Sequence, residues 1–167
     1  MAPRYPVTAA RILMFDAIRP DALPAGTVKA AGYVNGQWPS HDGIAARFPQ
    51  ARVFGIDVLG TGWEAAAILD YEPGNPGAQA AVREWVAERN AFRPETACVY
   101  CPRGLLDEVE SRLDGLWHVL WVANWGADGA AGQSMTGERT SRGNLIVATQ
   151  VQDAGGYDIS DTLESWR

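Results

Sequence analysis

The sequence predicts an α/β fold: a reduced and modified (β/α)8 barrel, TIM-like, with several helices trimmed to loops. Eight short apolar runs are bounded by turn residues, and helical periodicity appears between some of them. The chain has 167 residues, fewer than the roughly 250 of a full (β/α)8 barrel. An open doubly wound sheet with fewer strands is the alternative. Because we find no internal repeat and no linker, we expect a single domain over residues 1–167.

The apolar runs have the length and composition of buried strands. They are continuous rather than alternating, which favours fully buried parallel strands over antiparallel strands with one face in water. The eight runs cover residues 11–15, 28–34, 51–58, 65–69, 96–100, 117–122, 145–151 and 156–159.

Helical periodicity separates several of these runs. The clearest helix is predicted from residue 75 or 77 to about residue 90, and a second over 104–113. Asp42 could cap a short helix that reaches Phe48. Residues 127–143 are rich in Gly, Ser and Thr and have no period, so we expect a long surface loop there, beside the site. The alternation of strand and helix in the middle of the chain predicts parallel βαβ units.

Charge and hydropathy limit the class of partner. The net charge is −6 and there is no cluster of Lys or Arg, so we expect no binding to nucleic acid, which requires a basic face. No apolar run approaches the roughly 18 residues of a membrane span. Residues 1–6 lack a continuous apolar segment, so we expect no signal peptide. Localisation stays open between the cytoplasm, release without a classical signal, and incorporation into a larger particle.

The two cysteines, Cys98 and Cys101, have C-x-x-C spacing, which suggests a redox or zinc site. A structural zinc ion needs four ligands, and His41 and His118 lack ligand spacing. The segment is also predicted as a strand, in which residues three apart point to opposite faces. We therefore favour two small half-buried residues and expect no metal.

Acidic residues follow several predicted strands. Asp16, Asp57 and Asp70-Tyr71-Glu72 end the first, third and fourth runs, and Asp158 lies in the last. In a barrel of this type the active site lies at the carboxyl ends of the strands. These acids are therefore candidates for one shared site.

The Asp70-x-Glu72 spacing has a direct physical consequence. Residues i and i+2 of a strand share a face, so the two carboxyl groups lie side by side, roughly 6–7 Å apart at the backbone. Two carboxylates this close repel, and one pKa should rise. A raised acid can protonate a leaving oxygen while its neighbour stays charged, as in glycoside hydrolysis. The alternative is that such acids only accept backbone hydrogen bonds from the next loop.

The seven tryptophans suit a carbohydrate ligand, because the apolar faces of sugars stack on indole rings. The alternative is that a tryptophan in a strand belongs to the core. The candidates for contact with a sugar are Trp38, Trp63, Trp121 and Trp125, together with Tyr33 and Tyr71.

Six short motifs extend over nearly the whole chain in a fixed order. They are Phe15-Asp16 with Arg19-Pro20, Ala31-Gly32-Tyr33-Val34, Ile68-Leu69-Asp70-Tyr71-Glu72, Val99-Tyr100-Cys101, Leu120-Trp121-Val122-Ala123-Asn124-Trp125, and Ala148-Thr149-Gln150-Val151 followed by Tyr157-Asp158-Ile159-Ser160. This ordered set resembles the lysozymes of glycoside hydrolase family 25. It resembles still more their shorter relatives from actinobacteria and phages, the glycoside-hydrolase-like domains of unknown function.

The resemblance implies a modified barrel that cleaves the β-1,4 bond after N-acetylmuramic acid in peptidoglycan, with no metal or cofactor. Glu72 would be the general acid, and Asp70 would orient the 2-acetamido group or stabilise developing charge. Asp16 and Asp158 would shape the floor of the site. The residues expected to contact substrate are Tyr33, Asp57, Tyr71, Tyr100, Trp121, Trp125 and Gln150.

Three functions compete at this point. The first is a muramidase-like glycosidase that acts on bacterial cell wall. The second is a weakly active or inactive barrel that binds cell wall, for example as a phage minor tail protein that contacts other virion or assembly proteins. The third is a redox domain that uses the C-x-x-C pair.

Overall fold

The computed structural model describes residues 10–127 and 130–166. Its eight strands form one closed barrel in which spatial order follows sequence order. The predicted reduced barrel is confirmed, and the open doubly wound sheet is excluded. The strands are β1 Arg11–Asp16, β2 Lys29–Tyr33, β3 Arg52–Asp57, β4 Ile68–Asp70, β5 Cys98–Pro102, β6 Val119–Ala123, β7 Ile146–Asp153 and β8 Asp158–Leu163.

The direction of the last strand corrects one prediction. Neighbouring strands from β1 to β7 are parallel, but β8 is antiparallel to both β7 and β1. Only residues 154–157 join β7 to β8. A parallel connection needs a crossover of a dozen or more residues, so this short link permits only a hairpin.

In the described part of the chain, three α-helices cover the barrel: α1 His41–Arg47, α2 Pro76–Phe92 and α3 Leu106–Arg112. Both longer predicted helices are present, although the second begins with a 3-10 turn over Arg103–Leu105. A further 3-10 turn covers Pro20–Ala22. Asp42 does not cap α1, because Ser40 precedes the helix and Asp42 lies in its first turn. Within the described residues, no helix is long and apolar enough to cross a membrane.

The core has an inner and an outer layer, separated by the barrel wall. Ile68, Cys98 and Trp121 belong to the inner layer, inside the barrel. Leu69 and Cys101 belong to the outer layer, between the wall and helices α2 and α3. The two cysteines therefore face opposite sides as expected, but both are free thiols and fully buried rather than half-buried.

The connection from β6 to β7 is more than a surface loop. Residues 130–143 contain no helix or strand beyond a bridge from Arg139 to Leu145. Thr136 is nevertheless buried, and its hydroxyl group hydrogen-bonds Thr149 and the carbonyl of Asp161. This segment therefore packs on the barrel wall. Residues 1–9, on which the signal-peptide expectation depends, and residues 128–129 lie outside the described residues.

The amino ends of the parallel strands form the closed end of the barrel. Lys29 is buried there, and its Nζ donates to the carbonyls of Leu163 (2.8 Å) and Trp166 (3.3 Å). The rings of Phe54 and Trp166 are stacked with centroids 4.4 Å apart, and Lys29 Nζ lies 5.6 and 5.2 Å from them. The ammonium group thus has two acceptors and two rings around it, and burial lowers the pKa of Lys29 to about 8. The barrel opens to solvent at the opposite end.

Candidate active site

A cavity of about 150 Å³ opens at the carboxyl ends of the parallel strands, which we call the mouth. It contains every predicted site residue except Asp57 and Tyr71. The lining residues of this central pocket are Asp16, Tyr33, Ile56, Asp70, Glu72, Tyr100, Trp121, Trp125, Gln150 and Asp158.

The strand ends explain this convergence. Asp16, Tyr33 and Asp70 are the last residues of β1, β2 and β4. Asp158 is the first residue of β8, and it reaches the mouth because β8 is antiparallel and pairs it with Asp16. Glu72 lies two residues beyond β4, on the same side of the wall as Asp70.

Gln150 holds the centre of the site together. Its Oε1 accepts hydrogen bonds from the Tyr100 hydroxyl (2.8 Å) and from Trp125 Nε1 (3.1 Å). This fixes the amide so that Nε2 faces Asp158 Oδ2 at 3.1 Å and Asp16 Oδ1 at 3.4 Å. The register of β7 against β8 shifts between Gln150 and Gln152, a bulge of the kind often found beside active sites. One neutral amide therefore serves two carboxyl groups.

The two innermost carboxyl groups are the most perturbed. Burial raises the pKa of Asp16 to about 8, with a further contribution from Asp158. Burial also raises the pKa of Asp70 to about 8, and Glu72 adds to the rise while a hydrogen bond with Asn75 opposes it. Asp70 Oδ1 is buried and has no hydrogen-bond partner among the described residues. At neutral pH both groups hold a proton.

The outer two carboxyl groups shift in the same direction. Burial, followed by Asp153 and Glu72, raises the pKa of Asp158 to about 6. Burial also raises the pKa of Glu72, which is only partly exposed. The expectation that repulsion would raise one member of the Asp70–Glu72 pair is thus modified: both pKa values rise, and burial is the larger cause.

Asp57 lies on the outer side of the wall, which corrects its assignment as a substrate contact. It is fully buried. Its Oδ1 accepts from the backbone N–H groups of Leu59 and Gly60, both at 2.9 Å, and its Oδ2 accepts from Trp85 Nε1 at 2.8 Å. Asp57 therefore anchors the turn after β3 to helix α2. This is the structural role that strand-end acids can have in place of a functional one.

Tyr71 also points away from the mouth and is corrected in the same way. It is buried in the outer layer, and its hydroxyl group donates to Glu108. Because Asp70 and Glu72 share the inner side, the residue between them must face outward. Trp63, another candidate for sugar contact, packs against Phe92 rather than at the mouth.

Two further cavities flank the central pocket and extend it into a groove. The Trp38 arm, about 260 Å³, is lined by Ile18, Tyr33, Asn35, Gln37, Trp38, Val58, Asp70, Glu72 and Asn75. The Arg103 arm, about 370 Å³, is lined by Glu72, Tyr100, Pro102, Arg103, Gly104, Ala123, Asn124 and Trp125. Glu72 lines all three cavities and is the central carboxyl group of the groove.

Several groove residues were not identified from the sequence. Asn75 hydrogen-bonds Asp70, and Arg103 and Asn124 directly follow β5 and β6. The rule that strand ends meet at the mouth could have indicated Arg103 and Asn124, although neither is acidic or aromatic. Within the described residues, no group of three or more His, Cys, Asp or Glu side chains could hold a metal ion.

Comparisons with known proteins support the fold. No family model matches the chain, and no curated protein matches it. Among solved structures, the chain is similar to the bacterial lysozyme from Streptomyces coelicolor, with a TM-score of 0.50 and 11% sequence identity. The similarity covers 92% of this chain and 92% of that chain. The fold is therefore lysozyme-like, as the ordered motifs predicted.

Proposed function

We propose that this protein is a glycosidase of the muramidase type that acts on bacterial cell-wall glycan. One observation carries the proposal: four carboxyl groups converge on one open pocket, at the centre of a groove with aromatic residues in both arms. Hydrolysis of a glycosidic bond needs an acid that holds its proton near a second carboxyl group. The lysozyme-like barrel is consistent with the same chemistry.

Glu72 is the general acid in this proposal. It is the only one of the four carboxyl groups that lines all three cavities, so a chain lying along the groove passes directly over it. Its raised pKa keeps a larger fraction protonated toward neutral pH. Asp16 and Asp158 line only the central pocket and are held by Gln150, which suits a role in shaping the floor.

The reaction begins with transfer of the Glu72 proton to the glycosidic oxygen while the bond from that oxygen to the anomeric carbon breaks. Asp70, which lies beside it and whose raised pKa favours the protonated form, orients the 2-acetamido group of the sugar by a hydrogen bond. A water molecule then adds to that carbon and returns a proton to Glu72. Tyr33, Tyr100 and Trp125 line the pocket, and their ring faces and polar groups are available to contact the sugar.

The test is replacement of the acid without loss of fold. Glu72→Gln should lower the release of reducing ends from purified peptidoglycan by at least about 100-fold, because general acid catalysis contributes that much or more. Glu84→Gln on the exposed face of α2 is the matched control and should keep full activity. Circular dichroism should be the same for all three proteins. Equal activity of the Glu72→Gln and wild-type proteins would refute the proposal.

A second candidate is a cell-wall-binding module without turnover. Trp38 and Trp125 favour it, because each is 57% exposed on a different arm and offers a stacking surface independent of the carboxyl groups. Co-sedimentation of the wild-type protein with cell walls, without release of reducing ends under any pH tested, would select this function over hydrolysis.

A further inference from the structure

We propose that the Arg103 arm binds a negatively charged substituent of the glycan, a carboxylate carried by the sugar unit next to the central pocket. The inference rests on the proposed glycan site, but it concerns recognition and not turnover. Arg103 would select an acidic sugar, and this selection would fix the direction in which the glycan chain lies along the groove.

The side chains of this arm are held in place. Arg103 follows β5 and is exposed to solvent, and its Nη1 donates to Asn124 Oδ1 at 3.3 Å. Asn124 Nδ2 donates to the carbonyl of Gln133 at 2.7 Å, which turns Oδ1 toward the guanidinium group. Trp125 is fixed by its 3.1 Å hydrogen bond to Gln150. The arm thus presents a positioned cation beside a half-exposed indole ring.

Charge separates this arm from the rest of the groove. Among the described residues that line the three cavities, Arg103 is the only Lys, Arg or His. The central pocket contains four carboxyl groups, and the Trp38 arm shares Asp70 and Glu72 with it. A carboxylate on the substrate is repelled from both of those regions when these groups ionise. At Arg103 it meets a planar guanidinium group, whose geometry matches a carboxylate.

The opposite arm has a different chemistry. Apart from the shared acids, its polar side chains are the amides of Asn35, Gln37 and Asn75 and the hydroxyl group of Tyr33, beside the exposed ring of Trp38. These groups suit the hydroxyl and acetamido groups of an uncharged sugar. The groove therefore fits a polymer that presents an uncharged unit on one side of Glu72 and an acidic unit on the other.

Binding of chemically matched glycans tests the inference. The probes are peptide-free cell-wall glycan strands with their carboxyl groups intact, and the same strands with those groups reduced to alcohols. Calorimetry is done in the Glu72→Gln background so that the strands stay whole. We expect the intact strands to bind about 1.5- to fivefold more tightly than the reduced strands, the range for a solvent-exposed charge pair. Added salt should diminish this preference.

Variants at Arg103 complete the test. Arg103→Gln should abolish the preference while leaving affinity for reduced strands unchanged, and Arg103→Lys should keep part of it. Arg93→Gln, an equal charge change after the end of α2, should keep all of it. Equal loss of affinity for both strands in Arg103→Gln, a preference that survives it, or no binding of either strand would overturn the inference. If the Glu72→Gln protein binds with the expected preference while the wild-type protein releases no reducing ends, the inference is supported and hydrolysis is refuted.

Discussion

The two ends of the barrel differ in how completely they provide partners for buried ionisable groups, although burial disfavours the charged form at both ends. At the closed end, Lys29 has two carbonyl acceptors and two aromatic rings within contact distance. At the mouth, Asp16 and Asp158 share one amide, and Asp70 Oδ1 has no partner among the described residues. A buried polar group without a partner costs free energy, on the order of 1–3 kcal/mol. The closed end is therefore built for stability, whereas the mouth retains a cost that function can explain.

The largest expected effect on stability is at the closed end. Lys29→Ala should lower the free energy of unfolding by about 2–4 kcal/mol, because it leaves a cavity and removes a hydrogen-bond donor from each of two carbonyls. Urea denaturation measures the change. Arg93→Ala, an exposed cation, should change stability by less than about 0.5 kcal/mol. Equal stability of the two variants would show that the contacts of Lys29 do not stabilise the closed end.

The mouth should respond in the opposite direction. Asp70→Asn should raise the free energy of unfolding at pH 8 by about 1–3 kcal/mol, because a neutral amide avoids the cost of ionising a buried carboxyl group. The pKa of Asp70 is about 8 in the folded protein and 3.8 in its ordinary state. The stability that Asp70 contributes is therefore fully present below pH 3.8 and is lost as the pH rises toward 8.

The pH dependence sharpens this prediction. The advantage of Asp70→Asn over wild type in urea denaturation should be larger at pH 8 than at pH 4. Asp21→Asn, whose carboxylate is 71% exposed, is the control and should show no such dependence. A variant that is destabilised at pH 8 would mean that the Asp70 carboxylate is well accommodated, and the contrast between the two ends would fail.

The smallest expected effect is at the rim of the mouth. Trp125→Ala should raise the KM for peptidoglycan strands by about 5- to 30-fold, since a stacking contact in an open groove contributes roughly 1–2 kcal/mol. Its stability should change by less than about 0.5 kcal/mol because the ring is 57% exposed. Steady-state kinetics and urea denaturation separate the two quantities. A large loss of stability with unchanged KM would mean that Trp125 stabilises the fold and does not bind substrate.

The strands could be predicted from sequence because each is a short apolar run between turn residues. The direction of β8 was predicted wrongly, since a local apolar pattern does not encode the orientation of a strand relative to its neighbours. The length of the connection does encode it: residues 154–157 are too few for a parallel crossover. The burial of Thr136 was not predictable, because its partners Thr149 and Asp161 are distant in sequence.

Asp16, Asp70 and Glu72 were predictable because parallel strands deliver their carboxyl ends to one mouth, whereas Asp158 reaches the mouth as the first residue of the antiparallel β8. The wrong prediction that Tyr71 contacts substrate was avoidable. The alternation that puts Asp70 and Glu72 on the inner side of the wall puts the residue between them on the outer side. The orientation of the Asp57 side chain was harder to predict, since a shift of one residue in strand register decides whether a side chain points inward. Only the pairing of β3 with its neighbours fixes that register. The order of pKa values also needed the structure, because burial outweighs the repulsion that spacing alone suggests.

The hairpin that closes the barrel makes the mouth open to modification. Because β8 runs back from the mouth, the link over residues 154–157 projects beside the site, and residues 154–156 are exposed to solvent. Gly155 occupies a left-handed turn conformation with φ of 78°. A longer hairpin tip could be grafted at this position without rerouting any parallel crossover. Residues added there would lie next to Asp158, so the specificity of the groove can be redesigned by changing a single loop.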